Sequence, residues 1–102
     1  MDINTLDINA KEWFDKINGN SYFAGEVVIN YGTKTEKTFI MPFQYGYGEQ
    51  YIQQAMAELI KAGEVLESDS NISMSRFCRD KNIILRTNKT ENCLLRELKS
   101  YE

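Results

Sequence analysis

A chain of 102 residues with 42% hydrophobic and 26% charged side chains is large enough for one core and too small for two, so residues 1–102 are expected to form a single domain. It contains no histidine and only two cysteines, Cys78 and Cys93, which excludes a Ser-His-Asp triad, a Cys-His dyad and a standard zinc site. A net charge of −3 makes the chain as a whole a poor ligand for phosphate backbones, so direct nucleic-acid binding is not expected.

The charge is unevenly spread. Residues 1–70 hold 11 acidic and 5 basic side chains, whereas residues 71–102 hold 4 and 7, giving −6 and +3. The later part therefore offers a secondary basic surface through Arg76, Arg79, Lys81, Arg86 and Lys89, which also reads as a solvated edge that discourages aggregation. No apolar run approaches the ~20 residues of a membrane span, and Met1-Asp2-Ile3-Asn4 has none of the features of a secretory signal. A cytoplasmic protein with reduced, packed cysteines is the expectation.

In chain order, Asn9 and Glu12 are spaced as a capping box, and Ala10, Trp13, Phe14 and Ile17 fall on one helical face, predicting a short helix that stops at Asn18-Gly19. Tyr22 to Tyr31 alternates and is rich in β-branched and aromatic residues, predicting a strand. Gly32 to Thr35 offers a turn, and Lys37 to Met41 a second strand that Pro42 ends or confines to an edge. Ile52, Ala55, Met56, Leu59 and Ile60 recur with helical period, predicting a helix near 49–62 with Gly48 as N-cap and Gly63 as the left-handed C-terminal residue.

Met74, Phe77 and Cys78 predict a short helix over about 72–80. Ile83 to Leu85 is a strand candidate, and Asn88-Lys89-Thr90 reads as a turn. Leu94, Leu95, Leu98 and Tyr101 fit a helix, but Leu94, Arg96 and Leu98 also alternate; the strand is preferred because it completes a sheet with residues 83–87. The expected fold is α+β: an antiparallel sheet of about four strands with two to three helices on one face.

Two segments are distinctive. Trp13-Phe14-Asp15-Lys16-Ile17-Asn18-Gly19-Asn20-Ser21-Tyr22 and Phe43-Gln44-Tyr45-Gly46-Tyr47-Gly48-Glu49-Gln50-Tyr51, separated by the hairpin, resemble segments of small proteins carried by bacteriophages, prophages and their bacterial hosts. The likeness spans about residues 9–63, with a weaker echo at Ser75 to Asp80. It implies a setting in which small acidic proteins bind and block a host defence complex, and it implies no reaction.

Asn18, Asn20, Tyr22, Tyr45, Tyr47 and Tyr51 are the candidate binding residues. If they line one end of the sheet, the rings offer area to a protein or stack on a planar ligand, while amides and phenols fix its polar edge. The alternative is that the aromatics join helix to sheet and the glycines shape turns. Two functions follow: an anti-CRISPR-like inhibitor of a host protein or ribonucleoprotein defence complex, or a binder that sequesters a small molecule such as a nucleotide. Enzymatic function and a cofactor or metal are not expected, because the acid pair Glu64/Glu67 lies in the most polar stretch, without burial to tune it.

Overall fold

The computed structural model describes residues 2–101. Four strands, β1 (Thr5–Asp15), β2 (Asn20–Ile29), β3 (Lys37–Tyr45) and β4 (Ile84–Thr90), form one sheet in the order β3-β2-β1-β4. Three helices, α1 (Gln50–Lys61), α2 (Met74–Asp80) and α3 (Leu95–Lys99), complete an α+β domain. β2 is antiparallel to both β1 and β3, but β4 runs parallel to β1, so the sheet is mixed rather than wholly antiparallel.

The first segment is a strand and not the expected helix. Leu6, Ile8 and Ala10 are buried and alternate with Asp7, Asn9 and Lys11, a period of two that pairing on both sides enforces. The capping-box residues Asn9 and Glu12 are ladder residues facing opposite sides of the sheet. Asp15 and Gly19 close the β1–β2 turn, with the Gly19 amide donating to the Asp15 carbonyl at 2.7 Å and Gly19 at φ +70°.

Leu6, Ile8 and Ala10 of β1, Phe23, Val27 and Ile29 of β2 and Met41 of β3 share one face. There Tyr51, Ala55, Met56 and Leu59 of α1 and Met74, Phe77 and Cys78 of α2 close the main core. Ile52 and Ile60 are only partly buried at its margin, and Val28 faces the other way. Gly25 lets β1 approach: a Cβ there would run into the Asn9 carbonyl oxygen. β3 continues through Pro42 to Tyr45, because Pro42 lies on the edge strand, at an irregularity where Pro42 and Phe43 together oppose Ala24.

α1 starts one residue later than expected. Glu49, not Gly48, occupies the N-cap, and the Gln50 side-chain oxygen accepts from the Tyr47 amide at 2.8 Å to order the loop before it. Gly63 follows the helix at φ +78°, as its position suggests. The long excursion from β3 through α1 and α2 returns the chain beside β1, and a connection of this length permits parallel pairing. Asn88, Lys89 and Thr90, expected to turn, instead extend β4.

The final segment is helix α3 and not the expected strand, and it leaves the outer edge of β4 unpaired. The Cys93 amide donates to the Glu12 carbonyl at 2.9 Å, Glu97 accepts from the Leu94 amide, and α3 lays Leu98 against Ala24 on the face opposite α1 and α2. Helices thus pack on both faces of the sheet. Cys78 and Cys93 are free and buried on opposite faces, and burial pushes the Cys78 thiol up to about 11.

Candidate functional site

The distinctive segments meet at the end of the sheet where β1 finishes and β2 begins. Trp13, Tyr22 and Phe43 form an aromatic row across three strands on the α3 face, with Tyr22 stacked on Phe43 at 5.1 Å and tilted against Trp13 at 5.5 Å. Leu98 and Tyr101 cover this row, and Lys99 Nζ lies 4.5 Å from the centre of the Phe43 ring. Tyr45, opposite Tyr22 in the register, meets it edge-on at 5.9 Å but remains 61% exposed.

The β1–β2 turn is rigidly organised. Asp15 Oδ1 accepts from the Ile17 amide at 3.0 Å and the Asn18 amide at 3.3 Å, while Asn18 Nδ2 donates to Asp15 Oδ2 at 2.7 Å. The Asn18 side-chain hydrogen bond is the largest influence holding the Asp15 carboxyl below its ordinary 3.8, ahead of the opposing desolvation and the two backbone bonds. Projecting from this turn, Ile17 is 93% exposed. Ile17, Phe14 and Leu94, with Trp13 and Cys93, line an open groove of about 420 Å³ beyond the end of β4.

On the other side of the hairpin, the Gly46 amide donates to the Ser21 carbonyl at 3.0 Å. Gly46 is required for close approach, because a Cβ would come within 2.5 Å of Phe23 Cε1. Tyr47 follows at 62% exposure. Lys89 anchors this loop by donating to the Gly48 carbonyl at 2.9 Å, and its ammonium also pairs with Glu12 at 3.4 Å.

The six candidate binding residues are therefore divided. Tyr45 and Tyr47 are presented to solvent, Asn18 is engaged in its turn, Asn20 opens β2 opposite Asp15, and Tyr22 belongs to the aromatic row under α3. Tyr51 is only 7% exposed and packs in the main core on the opposite face, so it belongs to no surface with Tyr22. Sequence periodicity places Phe14, Ile17 and Leu94 in core elements, whereas the structure exposes Phe14 and Ile17 at the β1–β2 hairpin and Leu94 ahead of α3. The signal available for them was Asp15-x-x-Asn18-Gly19, a turn sequence whose tip points into water.

The basic residues do not form a strip. Arg86 donates to both Asp7 oxygens at 2.6 and 2.8 Å on the α3 face, and this hydrogen bonding raises its already high pKa. Lys89 is half-buried as the loop anchor. Arg76 pairs loosely with Asp80 at 3.7 Å, and Arg79 and Lys81 are exposed on and after α2. Among the described residues no three acidic, cysteine or histidine side chains converge as a metal site, and no helix is long and apolar enough to cross a membrane. In comparison with known proteins, no family model, curated protein or solved structure matches the chain.

Proposed function

We propose that the chain acts by binding: Phe14, Ile17, Tyr45, Tyr47 and Leu94, at one end of the sheet, dock onto a host protein or ribonucleoprotein in the bacterial cytoplasm. The observation that carries this reading is the 93% exposure of Ile17 on a turn held by three hydrogen bonds to one carboxylate. A rigid turn holding an aliphatic side chain in water gains by covering it, and flanking tyrosines supply contact area at low entropic cost. The resemblance to phage-borne proteins makes a nucleic-acid-targeting defence complex the partner, blocked by occupancy and not by a reaction. Separation of Tyr51 from the other tyrosines weighs against a single small-molecule pocket.

The test is protection of a sensitive phage in cells carrying such a complex, paired with binding measured on the purified complex. Wild type should inhibit, Ile17→Ser and Tyr47→Ala should each weaken binding by about 2 kcal/mol if they are hot spots, and Arg79→Ala should cost less than about 1 kcal/mol. Circular dichroism must show all three folded. Normal inhibition by the Ile17 and Tyr47 variants, with loss in the Arg79 variant, would move the surface to α2 and overturn the proposal.

A further inference from the structure

The two edges of the sheet differ in how they meet water. β3 carries Pro42 and a break in register, features that oppose continued pairing, whereas β4 is regular from Ile84 to Thr90 and, among the described residues, is flanked by β1 alone. The Ile84 amide donates to the Asn4 carbonyl, so by parallel-ladder alternation Ile84, Arg86, Asn88 and Thr90 turn their backbone groups toward β1. Leu85, Thr87 and Lys89 turn theirs outward. Ile84 also leaves its side chain 61% exposed at this edge.

We infer that β4 is a self-association edge, where a second copy of this chain pairs antiparallel about a twofold axis at Thr87. In that register Leu85 lies opposite Lys89 of the second copy and Thr87 opposite its own counterpart, and each outward pair exchanges hydrogen bonds in both directions. Every outward amide and carbonyl of the three residues is used. Ile84 falls opposite Thr90 and Arg86 opposite Asn88, so no like charges stand directly across the junction. The two cations in the strand are already compensated within each copy, Arg86 by Asp7 and Lys89 by Glu12. A heterologous partner strand could use the same backbone groups, but the self-complementary register, with its compensated charges, favours a second copy. Pro42 and the irregularity at the far edge stop further addition, so association closes at a dimer with one continuous sheet instead of growing into a fibre.

Sedimentation velocity from micromolar to millimolar concentration tests this. Wild type should show a reversible monomer–dimer equilibrium. Thr87→Pro removes an outward amide and no bond to β1, and should weaken the dimer about tenfold or more while the monomer stays folded by circular dichroism. Thr87→Lys, at an exposed position, places like charges opposite each other on the axis and should weaken it similarly, which keeps the test valid if the proline variant unfolds. A wild type that stays monomeric at millimolar concentration, a dimer unaffected by the folded variants, or a species larger than a dimer overturns the inference.

Discussion

The two ends of the sheet put their polar side chains to different uses. At the end where β1 starts and β2 finishes, Asn30 is 1% exposed and fully engaged: its Oδ1 accepts from the Asn4 amide at 2.7 Å and the Thr5 amide at 3.2 Å, and its Nδ2 donates to the Asp2 carbonyl and the Thr35 hydroxyl. The following loop adds Thr33 Oγ1 on the Asn30 carbonyl and Glu36 on the Gly32 amide. At the far end hydrogen bonds to Asp15 and from the Gly46 amide likewise order the turns, yet large apolar side chains stay in water: Phe14, Ile17, Tyr45, Tyr47 and Leu94. Both ends are ordered by side-chain hydrogen bonds. One uses a buried polar side chain to complete the fold, and the other uses a polar turn to display apolar side chains.

The largest expected effect lies at the closed end. Asn30→Ala should destabilise the protein by about 3 kcal/mol or more, since it strands two amides and a carbonyl and places alanine at φ +53°. Urea titration measures it, and a loss below about 1 kcal/mol would mean that water replaces the asparagine and that the ends differ less than their geometry suggests.

Lys89→Ala should cost about 1–2 kcal/mol by the same method, because both members of its pair with Glu12 keep only 16% side-chain exposure and the Gly48 carbonyl loses its donor. A neutral result would return Lys89 to the solvated basic surface. Tyr47→Ala should change stability by no more than about 0.5 kcal/mol, as expected of an exposed side chain that folding does not use. A large loss would make Tyr47 a structural residue and erase the contrast.

The smallest effect is in acid. Folding holds the Asp15 carboxyl below its ordinary 3.8, so its contribution is present above that value and is lost as pH falls through the lower folded value. Asp15→Asn should flatten this part of the stability–pH curve below about pH 4 and leave the curve above it parallel to wild type. Equal acid sensitivity in the variant would show that the turn does not depend on the ionised carboxylate.

Much of the helix-side architecture was legible locally. The period through Ile52, Ala55, Met56 and Leu59 gave α1 its buried face, alternation gave β2, and Met74, Phe77 and Cys78 gave α2. The candidate site was legible only as two segments. Tyr45 and Tyr47 were located by their composition, but neither the burial of Tyr51 nor the exposure of Phe14 and Ile17 follows from it.

By itself, the sequence determined the class: one small α+β domain whose central helix, hairpin and second helix declare themselves through hydrophobic period and turn residues. Tertiary structure decided the rest. Residues 10–17 carry helix-compatible spacing, yet pairing with β4 as far as Lys11 and with β2 as far as Asp15 makes residues 10–15 strand and leaves residues 16 and 17 in the turn. Leu6 pairs in register with Leu85, and Asp7 with Arg86 across a separation of 79 residues. The last segment leaves the open edge of β4 unpaired and, as α3, covers Ala24 and the aromatic row with Leu98 and Tyr101. Local pattern specifies which side of an element is apolar; which neighbour covers it, and which apolar residues stay in water, depends on contacts between segments distant in the chain.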